Sequence, residues 1–386
     1  MTPWNRTTAV AVKTLLFGVA CLFLATAAPR PCLAKIQSKR CSNCHTMHNS
    51  QRGVAMAYEY SGGSFDPRDT PHLKLLVTNC VGCHTALDGS TWQDSTTGAP
   101  IVFNTSEPSY GADAGDGRHA GLAAGNFYWV EGTGGQHHKG HNIFTQDSTY
   151  SEAPGHIDSG YCADCHDTLT YTSTPYSPCG NCHMVSGVYA LEADDYKWHH
   201  QDDTGPVIDT QAEGWYRFLA GHQNGEGMGV AGIESSDWEH SPTSTNHNEY
   251  LGYTSDDKTG DGGIGRTGAN TMSGFCTGCH EKFHRQDTSS NGASPWLRHP
   301  SDTDLPNSGD YVNYTVFNPL APVARPSLST VSSAVNPGTD LVFCLSCHRA
   351  HASPYSYMLR WDYKSDYGAD VGEMISGCGV CHTLKY

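Results

Sequence analysis

The sequence predicts a mostly irregular fold, with short helices at seven Cys-x-x-Cys-His motifs, few strands, and long loops between them. Three observations predict it. Only 37% of the 386 residues are hydrophobic and 16% are charged. The 42 glycines and 20 prolines leave no sustained helical or strand periodicity. Cysteine and histidine, 16 and 22 residues, recur together at one spacing. The aromatic content of 10% argues against disorder, so an ordered chain is expected, held by something other than an aliphatic core of ordinary size. A net charge of −16 disfavours a broad nucleic-acid-binding surface or a polybasic membrane anchor.

The first element is an address. Arg6 and Lys13 precede an uncharged run from Thr14 to Ala28, which fits a signal peptide and is short for a span of ~18 or more apolar residues. Cleavage after Ala34 is favoured over cleavage after Ala27. It removes Cys21 and Cys32, and every remaining cysteine then belongs to a motif, with no stray thiol in an oxidising compartment. Residues 1–34 are therefore read as a leader and 35–386 as a single exported unit. No later stretch is apolar enough to span a bilayer.

The motifs follow in order: Cys41-Ser-Asn-Cys44-His45, Cys80-Val-Gly-Cys83-His84, Cys162-Ala-Asp-Cys165-His166, Cys179-Gly-Asn-Cys182-His183, Cys276-Thr-Gly-Cys279-His280, Cys344-Leu-Ser-Cys347-His348 and Cys378-Gly-Val-Cys381-His382. From composition alone, histidine would follow all seven pairs with a probability on the order of 10⁻⁹, which rejects zinc ribbons and thioredoxin-type dithiols. Two thiols three residues apart on one helical turn can add to two vinyl groups, and the adjacent imidazole is then held under the iron. Each motif is read as an attachment site for covalent haem c, seven in all, with proximal ligands His45, His84, His166, His183, His280, His348 and His382. With roughly 50 residues for each site, too few to build a separate core at each, the macrocycles are expected to be the core.

The opposite face of each iron needs a second ligand. Fifteen histidines remain, methionine is scarce, and no motif ends in lysine, so imidazole on both faces is expected, giving six-coordinate iron of low potential. His48 and His351 lie three residues beyond a proximal histidine and His284 lies four beyond one. So close on the same turn, they are expected to reach a neighbouring haem rather than their own.

The strings Cys41-Ser-Asn-Cys44-His45-Thr-Met-His48-Asn-Ser, Lys139-Gly-His141-Asn-Ile, Leu297-Arg-His299-Pro and Cys344-Leu-Ser-Cys347-His348-Arg-Ala-His351-Ala-Ser resemble the extracellular, filament-forming multihaem c-type cytochromes of metal-reducing bacteria, the OmcS type of outer-surface cytochrome. The resemblance is strongest at the two ends of the mature chain. It implies that His48, His141, His299 and His351 are distal ligands and that successive haems alternate between stacked and T-shaped pairs. This chain departs from that type in carrying seven motifs where six are usual, with the motifs at Cys162 and Cys179 close together in the chain. For the other distal positions the residues chosen are His200, His222 and His284, with His199, His247 and His138 in reserve.

The first cysteines of the motifs, Cys41, Cys80, Cys162, Cys179, Cys276, Cys344 and Cys378, are unevenly spaced. The two long gaps, about 85–161 and 184–275, read as loop-rich wraps with short helices and a few strands. Trp129, Trp198, Trp215, Trp238, Trp296 and Trp361 lie near candidate ligands and are expected to pack on porphyrin edges. Gly263-Ile-Gly265-Arg-Thr-Gly268 has neither a preceding strand nor a following helix, so it is a loop and not a dinucleotide site. The Asp256–Gly262 segment lacks the last carboxylate of a calcium loop and reads as a solvated acidic turn.

The function expected is electron carriage along a haem chain, with no catalytic residue, by an exported cytochrome that polymerises outside the cell through His48 ligating a haem of the next subunit. Other cytochromes or extracellular metal oxides would be the redox partners. The alternatives are a periplasmic reductase of the nitrite or hydroxylamine kind, which needs an open iron, and a monomeric periplasmic shuttle. Intact-mass measurement of the secreted protein is expected to show seven haem additions and no thiol that alkylates.

Overall fold

The computed structural model describes residues 50–51, 54–55, 58–61, 64–67, 80–82, 84–95, 98–109, 122–131, 136–144, 179, 182–183, 206–210, 213, 215–219, 229–252, 270–277, 279–280, 299, 301–363 and 377–384. The leader, the motifs at 41–45 and 162–166, Cys83, and the candidate ligands His48, His200, His222 and His284 lie outside the described residues. So do the reserve His199, Trp198, Trp296 and the loops spanning 256–268.

Among the described residues no strand exceeds four residues and no helix exceeds five, as the broken periodicity predicts. Strands β1 (Ser50–Gln51) and β2 (Val54–Ala55) pair antiparallel, as do β3 (Tyr58–Ser61) and β4 (Ser64–Pro67). Strand β5 (Thr85–Ala86) runs parallel to β6 (Phe103–Asn104). Strands β7 (Gly232–Ile233) and β8 (Glu249–Tyr250) pair antiparallel, as do β9 (Thr303–Asp304) and β10 (Leu341–Val342), with Leu341 opposite Asp304. Three short helices carry motif cysteines: α1 (Met272–Cys276), α2 (Cys344–Cys347) and α3 (Gly377–Cys381). Thr271 caps α1, its hydroxyl accepting from the Gly274 N–H at 3.0 Å. At α2 the Ser346 hydroxyl accepts from the Phe343 N–H at 3.1 Å and donates to the Pro322 carbonyl at 2.6 Å.

Irregular backbone must satisfy its polar groups without a ladder, and buried asparagines do this here. Asn104 and Asn126 exchange a side-chain bond of 2.7 Å. The Asn104 amide also donates to the carbonyls of Asp88 and Thr91, while the Asn126 oxygen takes the N–H groups of Asn104 and Tyr128. The turn after β5 is thereby tied to the Phe127–Val130 turn of 3₁₀ helix.

The protein has more core of its own than its composition suggests. One apolar cluster joins Tyr216, Val230, Tyr250, Met272, Phe275, Leu341 and Phe343, and packs against Cys182 and Cys276. A second joins Val81, Phe103, Phe127, Ile143 and Ala352. A third, of Leu305, Tyr314, Phe317, Val323, Val335 and Val342, abuts Val380 and Cys381. The sequence pointed to macrocycles as the core, and these clusters of the chain's own side chains stand beside the motif cysteines. Residues 229–252 and 301–345 contain most of the first and third clusters, because bridges from Leu251 to Arg325 and from Ala324 to Leu341 draw the β7–β8 and β9–β10 hairpins together.

Between those hairpins sits a buried ionic cluster. All five donor sites of the Arg325 guanidinium are used: Nε and Nη2 donate to Glu249 at 2.7 and 3.2 Å, Nη1 to Asp340 and the Ala334 carbonyl, and Nη2 to the Ser332 carbonyl. Burial by itself would raise the Glu249 carboxyl, but the hydrogen bonds from His247 and Arg325 hold it below its usual range. His247, a reserve ligand, belongs to this cluster instead. It is wholly buried, its Nδ1 and Nε2 lie 3.0 Å from the Thr243 carbonyl and 3.2 Å from Glu249, and its ring stacks on Phe317 at 3.4 Å. With both nitrogens engaged it has none left for iron.

Arg325→Leu leaves two buried carboxylates without their cation, and is expected to cost about 3–5 kcal/mol in denaturant unfolding. Replacing Arg325, Glu249 and Asp340 together with apolar residues is expected to cost less than the single change.

Candidate functional site

Five motif histidines are among the described residues, and one local structure holds them all. The backbone N–H of the histidine bonds to the carbonyl of the first cysteine in each: His84 to Cys80 at 3.0 Å, His183 to Cys179 at 2.8 Å, His280 to Cys276 at 3.0 Å, His348 to Cys344 at 3.1 Å and His382 to Cys378 at 2.9 Å. This is a single closed helical turn. It sets the first cysteine, the second cysteine and the imidazole around one axis, which the two intervening small or aliphatic residues permit.

The rings are half-buried, and desolvation lowers the pKa of His84, His141, His183 and His348; for His351 desolvation and the neighbouring rings of His183 and His141 lower it to about 3. They are therefore neutral at ordinary pH. In four of them Nδ1 faces a backbone carbonyl: His84 to Pro100 at 2.8 Å, His141 to Ala350 at 2.7 Å, His183 to Arg217 at 2.8 Å and His348 to Tyr357 at 2.7 Å. A carbonyl only accepts, so Nδ1 carries the ring proton and Nε2 carries the lone pair, the tautomer a metal requires. Nδ1 of His382 is 3.7 Å from the Asp310 carboxylate, beyond a direct hydrogen bond.

Each candidate distal histidine among the described residues stands opposite a motif histidine. The ring centroids of His141 and His280 are 6.0 Å apart, those of His351 and His183 6.0 Å, and those of His299 and His382 6.4 Å. Two imidazoles bonded to opposite sides of one metal ion, with metal–nitrogen lengths of ~2.0–2.1 Å, have ring centroids roughly 6 Å apart. The residues thus fit iron held between paired rings. The buried indole N–H groups of Trp129, Trp215 and Trp361 also meet no protein acceptor, and a macrocycle with carboxylate side chains is one.

A three-segment bridge brings two distal candidates side by side. Ala352, wholly buried, is bridged to Gly125 and to Gly140. The His351 N–H donates to the Ala124 carbonyl at 2.7 Å, and the His141 N–H to the His351 carbonyl at 2.9 Å. A Cβ at Gly125 would meet the Ala352 carbonyl, and one at Gly140 would meet the Ala352 methyl, so glycine is required at both. The Arg349 guanidinium adds bonds to the carbonyls of Leu122 and Ala123 at 2.9 and 3.2 Å, and the His351 ring stacks on Phe127 at 4.4 Å. The His351 ring stands beside His183 of another motif. No sequence signal marked Arg349 or the two glycines.

The motifs also touch one another. The Cys179 thiol donates to the sulfur of Cys80, which lowers the Cys80 pKa and raises that of Cys179. The Cys276 thiol likewise bonds to Cys344. Burial, with Cys381, Cys378 and Cys344 nearby, pushes the Cys347 thiol up to about 12. With Cys182 also near Cys276, the described motifs lie next to one another as second to fourth, fourth to fifth, fifth to sixth and sixth to seventh.

The remaining expectations divide. Trp361 is buried against Gly377 at the start of α3, and Trp215 lies in the turn whose carbonyl anchors His183. Trp238 instead tilts against Trp92 at 6.2 Å, and Trp92 stacks on His240 at 4.3 Å. The reserve His138 is exposed on the Gln136–Lys139 turn. Among the described residues, no helix is long and apolar enough to cross a membrane.

The resemblance carried by the motif strings is borne out along most of the chain. It is 24% identical over 389 aligned positions to the c-type cytochrome OmcS of Geobacter sulfurreducens, covering 85% of this chain and 79% of that one. Solved structures similar to it include an outer membrane cytochrome S filament from Geobacter sulfurreducens, at 20% identity and a TM-score of 0.49, covering 91% of this chain and 99% of that one. Another is of the OmcS nanowires from the same organism, at 20% identity and a TM-score of 0.45, covering 89% and 98%. No family model matches the chain.

Proposed function

We propose that this protein is an exported seven-haem cytochrome c that carries electrons along a chain of haems and polymerises outside the cell. The observation that carries the reading is the set of three histidine pairs with ring centroids at 6.0, 6.0 and 6.4 Å. The likeness to the c-type cytochrome OmcS supports it. When bound, haem c supplies reversible one-electron exchange between ferric and ferrous iron. The protein's own residues do the rest. The cysteine pairs hold each group covalently at a closed turn. The paired imidazoles would hold each iron between them and leave it no place for a small substrate, which favours electron carriage over a reductase. The carbonyls facing Nδ1 keep the proton there and the ring orientation constant. Contacts between Cys80 and Cys179 and between Cys276 and Cys344 keep the second site beside the fourth and the fifth beside the sixth.

His84 and His348 are assigned distal partners from among the histidines outside the described residues, His48, His200, His222 and His284. Of these, His48 is assigned to a haem of the next subunit. Ligation and assembly are then one event, and the free energy of the iron–imidazole bond becomes interface free energy. Metal oxides, other cytochromes or a partner cell are the expected acceptors.

The ferric protein is expected to be low-spin at every haem. His351→Ala should convert one haem to high spin and create one carbon monoxide site in the ferrous form, and His48→Ala should in addition release soluble monomers. A high-spin haem in the wild type would overturn the paired-imidazole reading. Filaments of His48→Ala with every haem low-spin would overturn the assembly reading.

A further inference from the structure

From the fourth motif onward, the sites follow one another in space as they do in sequence. Cys182 and Cys276 pack against the same apolar cluster, which joins the fourth site to the fifth. The Cys344 N–H donates to the Ser273 hydroxyl at 3.2 Å, tying α2 to α1 and so the sixth site to the fifth. The Arg360 N–H donates to the Cys347 carbonyl at 2.8 Å, and the adjoining Trp361 ring lies against Gly377 at the start of α3, which joins the sixth site to the seventh.

The second motif breaks this order. The carbonyl of His84 accepts from the N–H groups of Val102 and Phe103 at 3.0 and 3.2 Å, and the Val102 carbonyl accepts from the Phe127 N–H at 2.9 Å. The Phe127 ring stacks on His351, whose ring centroid is 6.0 Å from that of His183. Val81, between the two cysteines of the second motif, shares a buried cluster with Phe127 and Ala352. Backbone bonds and packed rings thus lead from the second motif to the paired histidines of the fourth site. The sulfurs agree. Cys80 and Cys179, the first cysteines of the second and fourth motifs, are within hydrogen-bonding reach of each other, and the His84 ring is near enough to His183 and His351 for its charge to bear on both.

Sulfur contact limits what can stand between two such sites. In a thioether made by adding a thiol to a haem vinyl group, one carbon separates the sulfur from the rim of the macrocycle. Sulfurs that touch therefore bring two rims together, and a third macrocycle with its own protein turn has no place between them. The apolar cluster closes the junction further, since Val81 and Ala352 are wholly buried.

We infer that the line of haems runs from the second site directly to the fourth, and that the third motif, at 162–166, adds a branch to that line and not a link in it. The inference rests on the haem-binding reading above and adds the order in which the sites are connected. Exchange across the junction is one-electron, ferrous to ferric, and needs no third centre. A branch can be filled or emptied without interrupting traffic along the line, so it gives the protein a lateral point of exchange with a redox partner, where an unbranched line offers only its ends.

The test begins with the haem-loaded wild-type protein, whose structure with the groups in place reports the order of sites directly. The thioether sulfurs of Cys80 and Cys179 are expected in contact, and a third macrocycle between the second and fourth overturns the proposal. The functional arm is the full-length variant Cys162→Ala with Cys165→Ala. It should lose one haem by intact mass and conduct between electrodes as the wild type does. Lost conduction in the folded variant with every other haem attached overturns the proposal as well. If that variant does not fold, His166→Met keeps the third group and raises its potential, as methionine ligation does; unchanged conduction upholds the proposal and lost conduction overturns it. If neither variant folds, the wild-type structure decides alone. A wild-type chain without covalent haem would instead sink the functional reading, which intact mass reports separately.

Discussion

An imidazole taken out of water must have both its nitrogens accounted for, and much of this structure follows from that constraint. An unpaired buried polar group costs about 1–3 kcal/mol, and the chain buries such rings in close succession. Its solution is to commit backbone carbonyls to Nδ1. The carbonyls of Pro100, Arg217, Ala350 and Tyr357 are withdrawn from any ladder and aimed at rings. At those positions the carbonyls are lost to any helix or sheet. The irregular fold is thus a consequence of the sites as well as of the glycine and proline content. The buried asparagines at 104 and 126 then perform for the loops what a ladder would have done.

The remaining protein core has a distinct job. The Glu249–Arg325–Asp340 cluster and the apolar groups around Phe317 and Leu341 have no coordination role, yet the third apolar cluster abuts Cys381 and the first abuts Cys182 and Cys276. Buried ion pairs are weak sources of stability but strong sources of register, because the arrangement that satisfies all five guanidinium donors excludes neighbouring arrangements. Here the cluster joins Glu249 of β8 to Asp340 beside β10, so that the surfaces receiving two separate motifs are defined relative to one another.

What was legible in the sequence was chemistry carried by contiguous residues. The motif turns follow from cysteine and histidine spacing, and His351 could be sent to a neighbouring site because three residues do not allow it to fold back on its own. His141 and His299 were reached through a resemblance in short strings around them, and each stands opposite a motif histidine. What was not legible depends on distant pairs or on backbone angles. Glu249 and Arg325 are far apart in the chain, Arg349 meets Leu122 across a still longer separation, and nothing in Arg217-Phe218 or Tyr357-Met358 spells the left-handed backbone found at both. His247 looked like a spare ligand because composition counts histidines without seeing Glu249 and Thr243 on either side of the ring. The core was underestimated for a similar reason: a low overall hydrophobic fraction says nothing about how densely the apolar residues of 229–252 and 301–345 are gathered.

The contacts between thiols of different motifs bear on the order of events in the protein's making. Cys80 with Cys179, and Cys276 with Cys344, lie within hydrogen-bonding reach in the finished fold, and each belongs with another partner in its own motif. A chain that reached this arrangement with its thiols unmodified would present mismatched pairs to any oxidant, and a crosslink between motifs would block both. Thioether formation removes that hazard only if it comes first. Attachment of the groups to an extended chain would leave no such mismatched pair to form.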